Sequence, residues 1–345
     1  MKSGNPYDAL LIVGFGGPEG PEDVLPFLEN VTRGRNVPPE RLVEVATHYD
    51  QFDGRSPINQ QVRDLIESLS LELKQSGIEL PIFWGNRNWH PMLSDTVREM
   101  AEAGVERALG LALAAYSSYS SCRQYLEDIA KARAKVGPDA PVIDKIRVFF
   151  NHPAFISANA ARVAAALKEV PAANRDAVRL VFTAHSLPSG MALACDYVQQ
   201  LRESARLISE SVQVPPDRWD LVYQSRSGPP AVPWLEPDIL NHLKSLSEAG
   251  IADVVVAPIG FLSDHLEVIY DLDCEARELC VELGIRMVRA ATVGTHPDFV
   301  QMLRQLIDER LNEDHPRLAV GTLFPRPDAC PEDCCPPPAR PPGRR

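Results

Sequence analysis

The chain has 345 residues, enough at ~150 residues per domain for two lobes, each with its own core. Apolar residues make up 45% and charged residues 24%, which excludes global disorder and fibrous repeats. With 35 Lys and Arg against 47 Asp and Glu the net charge is −12, which argues against nucleic acid or an anionic membrane surface as the main partner, so an anionic ligand must find a local basic patch.

The apolar stretch at 9–13 is brief and runs into Gly14, without the apolar region and cleavage signal of a secretory peptide. The longest run lacking charge and strong polarity, 108–115, is far below the ~20 residues of a bilayer span. The expectation is a cytoplasmic chain with no stable membrane insertion. There disulfides are disfavoured, so the seven cysteines read as buried thiols plus metal or cluster ligands. Strand-like apolar runs at 8–13, 80–84, 105–113 and 142–149 alternate with helical patterns, and after a helical pattern over 153–169 the rhythm restarts with strands at 177–183, 220–224, 253–258 and 285–290. This predicts an α/β fold of two Rossmann-like, doubly wound parallel-sheet domains facing a central cleft. The expected boundaries are 1–152, then 153–315 including a closing helix at 297–312, then a Pro/Cys-rich tail at 316–345. The residues themselves do not repeat between the halves.

The first strand ends in Gly14-Phe15-Gly16-Gly17-Pro18, which lacks the third glycine of a dinucleotide fingerprint. Close backbone approach there, with Arg33-Gly34-Arg35, His48-Tyr49 and Arg55-Ser56 downstream, offers cationic and hydroxyl donors for carboxylates. His185 lies just past the 177–183 strand, at the sheet edge where open α/β sheets bind ligands. At an equivalent edge, residues 260–267 (GFLSDHLE) lead into a helix whose expected cap is Ser263 or Asp264. Along that helix Glu267, Asp271 and Glu275 recur at i, i+4 and i+8, and a stack of carboxylates suits a cation path or a proton relay. The last sixteen residues hold six Pro and three Cys, the composition of an extended tail pinned by a metal or iron–sulfur ligand.

TAHSLP around His185, GFLSDHLEVIYDLDCE, the opening LLIVGFGGP and the stretch GRSPINQQ together resemble the ferrochelatase family over nearly the whole chain. The resemblance implies two Rossmann-like lobes around a porphyrin cleft and insertion of ferrous iron, the metal being substrate. It places His185 and Glu267 at the family's metal-site pair; the carboxylate ladder adds Asp271 and Glu275 as expected metal-binding residues. Phe15, Arg33, His48, Tyr49, Ser56 and Tyr125 are expected to bind the porphyrin. Phe15 stands where certain bacterial members carry Tyr near the metal, and His48-Tyr49 where some relatives bind a propionate with Arg-Tyr. Cys122 with Cys330, Cys334 and Cys335 resembles the ligand set of cluster-bearing members and implies a 2Fe–2S centre, zinc on four thiolates being the chemical alternative. Cys195, Cys274 and Cys280 are assigned to packing. The expected substrate is coproporphyrin III, because 21–35 interleaves Leu25, Phe27 and Leu28 with Glu22, Asp23, Glu29, Arg33 and Arg35. The alternatives are protoporphyrin IX and, from another class, a non-catalytic porphyrin or haem carrier with a redox-sensing cluster. A monomer is expected.

Overall fold

A computed structural model describes residues 5–34, 37–228, 231–312 and 314–337; Arg35, in the basic turn noted above, and the last eight residues of the tail lie outside them. The first sheet is built from β1 (Ala9–Gly14), β2 (Ile82–Asn86), β3 (Arg107–Ala112) and β4 (Val142–Lys145), in the order β2-β1-β3-β4. The second comprises β5 (Arg179–His185), β6 (Trp219–Gln224), β7 (Asp253–Ala257) and β8 (Arg286–Arg289), in the order β6-β5-β7-β8. Every pairing is parallel. Winding and strand order are therefore the same in both halves although the residues are not. Central strands such as ALLIVG and DVVVA are buried along their full length, as expected of strands covered by helices on both faces.

In the first half the helices are α1 (Pro21–Thr32), α2 (Pro39–Asp50), α3 (Ile58–Gln75), α4 (Leu93–Glu102) and α5 (Gln124–Val136). They are followed by α6 (Pro153–Glu169), α7 (Ser189–Leu193), α8 (Tyr197–Ser211), α9 (Ile239–Glu248), α10 (Leu266–Ile269), α11 (Arg277–Leu283) and α12 (Pro297–Leu311). A π-helical segment, Tyr270–Ala276, joins α10 to α11. In each sheet the winding reverses beside the first strand, between β1 and β3 and again between β5 and β7, and such switch points open a crevice at the carboxyl ends of the strands. The last helix packs on both α3 and α6, tying the two halves together.

The fourth strand is shorter than its apolar run predicts, ending at Lys145 where 142–149 was expected. The cause is Arg147, whose side chain is fully buried and grips Glu309 of α12 through Nε and Nη2, both at 2.8 Å. The same guanidinium donates to Leu318 O at 2.9 Å, and Phe149 and Phe150 turn into the core. The chain leaves the ladder to bury a charge against its partner.

That contact begins a seam along the tail. Val320 N–H donates to Asn151 O at 2.9 Å, and Asn151 Nδ2 to Leu323 O at 2.6 Å. Glu203 accepts from the Thr322 hydroxyl, while Asp328 pairs with Arg310 at 3.0 Å and Arg326 with Asp196 at 2.8 Å. Polar contacts thus order residues 318–328 against both halves, ahead of the cysteine-bearing stretch that begins at Cys330.

Removing one member of a buried ion pair strands the other charge, at a cost of about 3–5 kcal/mol. Glu309→Gln should therefore lower the denaturant midpoint strongly, whereas Arg147→Met with Glu309→Leu should recover most of the loss, as measured by equilibrium urea unfolding.

Candidate active site

His185 is the last residue of β5 and stands at the switch point. Its Nδ1 lies 2.5 Å from Ser186 O; a carbonyl only accepts, so Nδ1 carries the proton and Nε2 is the ring's basic atom. That Nε2 is 3.9 Å from Glu267 Oε1. The turn carrying Glu267 can approach this closely because residue 260 is glycine: a Cβ there would sit 2.5 Å from the Ala184 Cβ, overlapping the residue next to His185.

The helix cap differs from the expected one. His265, not Ser263 or Asp264, caps α10, with Nδ1 accepting from Val268 N–H at 3.3 Å. Burial, with His185 nearby, pushes its pKa down to about 3, so His265 is a neutral cap. The carboxylate face also departs from a plain α-helix. Beyond Glu267 the backbone widens into π geometry over Tyr270–Ala276, a departure that recurs at functional sites.

Glu267 is 44% exposed, open on one side yet walled by protein on the others. Burial of its carboxyl raises the pKa to about 7, opposed by a hydrogen bond from Ser225. Asp271 is likewise raised to about 7, first by burial and then by the Glu267 charge. It accepts from the Ser225 hydroxyl and from Gln224 Nε2 at 3.2 Å. Ser225 holds this position with a left-handed backbone, φ 62°, unusual for a residue other than glycine. Glu275 is raised by burial, with His48 opposing.

Ser225 and Gln224 were missed by sequence reasoning, although the rule that selected His185, a polar residue at the carboxyl end of a strand, also selects Gln224 at the end of β6. Trp89 was also missed; it joins Phe15, Phe27 and Tyr49, which the sequence singles out, in an aromatic group of the first half. Phe27 of α1 meets Phe15 at 6.3 Å, Tyr49 at 6.4 Å and Trp89 at 6.2 Å between ring centroids, and Leu266 packs with Phe27 and Tyr49. Tyr49 is buried, and its hydroxyl pKa is raised by burial and by Glu267.

The remaining expected binding residues are more dispersed. His48 stacks flat on Tyr270 at 3.9 Å, so it braces the π segment. Ser56 is buried, its hydroxyl accepting from Leu266 N–H at 3.3 Å, a link between the halves. Arg33 is exposed at the end of α1 and bonds Asn30. Tyr125 is buried beneath the Arg87 guanidinium, 3.9 Å from the ring centre.

Far along the chain, the thiols gather. Cys335 Sγ lies 3.6 Å from Cys334 Sγ, and Cys122, Cys195 and Cys330 are near enough to interact electrostatically with these two. Lys145 and Arg326 stand beside them. Cys195 therefore belongs to this group and not to packing alone; it lies in the turn between α7 and α8. Cys280 packs in the core of the second half against Met287. Among the described residues no three His, Cys, Asp or Glu side chains form a ready-made metal-binding group, so the thiols are assembled without being drawn to ligand spacing.

The ferrochelatase family model matches residues 7–311. The chain belongs to the ferrochelatase family, whose members are porphyrin metal chelatases. Curated relatives include a ferrochelatase of Rhodopirellula baltica, 52% identical over 96% of this chain and 93% of the relative. A coproporphyrin III ferrochelatase of Nocardia farcinica is 50% identical over 97% and 98%, and one of Streptomyces coelicolor is 48% identical over 96% and 94%. Among solved structures, SirB from Bacillus subtilis with Fe3+ superposes with a TM-score of 0.54 at 12% identity, over 90% of this chain and 98% of that one; that likeness is one of fold. Among the described residues no helix is long and apolar enough to cross a membrane.

The raised carboxyls carry a thermodynamic consequence. A carboxyl whose pKa rises from ~4.3 unfolded to about 7 folded binds its proton more tightly in the folded state, so its contribution to stability is present at low pH and lost as pH rises through about 7. Glu267→Gln and Asp271→Asn remove that cost. Each should raise the thermal midpoint at pH 8, with the gain shrinking as pH falls toward about 4, as followed by calorimetry across pH.

Proposed function

We propose that this protein inserts ferrous iron into coproporphyrin III in haem biosynthesis. The observation that carries the reading is the His185–Glu267 pair at the carboxyl edge of the second sheet, backed by relatives of Streptomyces and Nocardia described as coproporphyrin III ferrochelatases. Metallation requires two pyrrole N–H protons to leave as the metal enters. His185 Nε2 is the atom suited to take one of them, and Glu267, whose carboxyl titrates at about 7, can pass the other on through Asp271. The same carboxylates, when ionised, offer oxygen ligands to ferrous iron in transit, with Glu275 next along the face. Phe15, Phe27, Tyr49 and Trp89 supply an aromatic wall for the macrocycle. Arg33 is an exposed cation at the end of α1 available to a propionate.

The tail fits a cluster in the kind of its donors: five thiols with two cations beside them match the soft ligands and charge compensation that an iron–sulfur centre requires. Cys122, Cys330, Cys334 and Cys335 would hold a 2Fe–2S cluster, which when bound supplies a redox-active group or a staple for the tail.

His185→Ala should abolish metallation while leaving porphyrin binding nearly intact, read by steady-state turnover beside fluorescence titration with the porphyrin. Near-normal turnover would remove His185 from the mechanism, and binding without turnover in the unsubstituted chain would make the protein a porphyrin carrier. Turnover on coproporphyrin III is expected to exceed that on protoporphyrin IX, and the reverse order would reassign the substrate. Protein purified without oxygen should contain iron and acid-labile sulfide, both lost in Cys122→Ser and Cys334→Ser; zinc in their place would make the thiols a structural zinc site, and no metal would dismiss the cluster.

A further inference from the structure

Asp264 and Asp273 flank the functional carboxylates, and one cation holds both. Arg289, the last residue of β8, donates from Nη1 to Asp264 Oδ1 at 3.0 Å and from Nε to Asp273 Oδ1 at 2.9 Å. The three side chains are largely buried, at 15%, 18% and 23% exposure. Asp264 sits just ahead of the His265 cap; Asp273 lies within the π segment between Asp271 and Glu275. The fork therefore grips the helix bearing Glu267, Asp271 and Glu275 before its start and inside its widened turn.

This matters because the carboxylate face depends on an uncommon backbone. Were Tyr270–Ala276 to relax to ordinary α-helix, each later carboxylate would rotate relative to Glu267. Arg277 also pairs with Asp273, at 3.2 Å, but it rides on the same helix and follows it in either register. Arg289 comes from a strand fixed in the second sheet. On the opposite side the same turn is tied to the first half, Asp264 N–H donating to Gln61 Oε1 at 2.9 Å and Leu266 N–H to Ser56 Oγ at 3.3 Å. The turn is thus set from two directions; the π segment is held at its start by the His48–Tyr270 stack and the Ser225 and Gln224 bonds to Asp271, and farther along, at Asp273, by Arg289.

We propose that Arg289 is a positioning residue for iron delivery: by bridging Asp264 and Asp273 it holds the helix in the register that lines up Glu267, Asp271 and Glu275. The proposal rests on the reading of those carboxylates as the iron path. Arg289→Lys keeps the charge, yet a single ammonium cannot span both carboxylates as the planar fork does.

The test compares the unsubstituted chain, Arg289→Lys, Asp273→Asn and the double variant. Turnover is measured against both substrates, and the porphyrin-free protein is titrated with manganous ion, an oxygen-seeking probe that leaves thiols aside. Loss of an orienting partner is expected to raise the KM for ferrous iron and weaken manganous binding about tenfold in Arg289→Lys, with the KM for porphyrin unchanged. Asp273→Asn should act in the same direction, and the double variant should be no worse than Arg289→Lys, since both break one interaction. Unchanged iron KM and manganous affinity would overturn the proposal. So would both KM values worsening in step with the thermal midpoint, which marks an ordinary structural pair. If the unsubstituted chain inserts no iron, the proposed function fails and the manganous titration still judges Arg289; if that chain binds no manganous ion either, the path and its positioning residue fall together.

Discussion

A buried guanidinium facing a buried carboxylate holds this molecule together. Arg147 leaves the end of the first sheet, Glu309 projects from the last helix, and the tail adds a carbonyl from Leu318. Neither charge tolerates burial alone, so the pair favours the arrangement in which the first sheet, the closing helix and the tail are all in place. Because α12 packs on helices of both halves, that arrangement also fixes how the carboxyl edges of the two sheets face each other. How the His185–Glu267 pair of the second half stands relative to the aromatic group of the first thus depends on a contact with no part in the chemistry.

Much of this organisation was legible in the residues. Eight apolar runs became eight parallel strands, because a strand covered on both faces must be apolar along its length, as ALLIVG is. His185 and Glu267 were legible because strand ends in such sheets are where ligands bind. The truncated fourth strand was not, since the apolar run 142–149 contains a charge whose partner lies 162 residues away. Nor was the π segment: spacing by four reads as α-helix, whereas the wider turn is held by tertiary contacts from Arg289, Ser225, Gln224 and the His48–Tyr270 stack. His265 as cap was hidden by two better capping residues immediately before it, one of which is committed to Arg289.

Stability and function are set against each other at the carboxylate face. Two carboxyls raised to about 7 cost the folded state at neutral pH, and that cost is what the proposed proton transfer at this face would require. The expense is tolerable because it is local. The hydrogen bonds from Ser225 and Gln224 limit it, while the rest of the second half is a conventional apolar core.

The left-handed backbone of Ser225 restricts how this position can drift over evolutionary time. Two demands meet in one residue, a φ of 62° and a donor for Asp271. Glycine would satisfy the first and abandon the second. Threonine carries the hydroxyl, but its branched Cβ resists the left-handed region, and alanine supplies no donor. Asparagine tolerates the backbone and still presents a donor. Keeping an acid at 271 thereby leaves few residues that suit position 225, a restriction imposed by backbone geometry together with a single hydrogen bond.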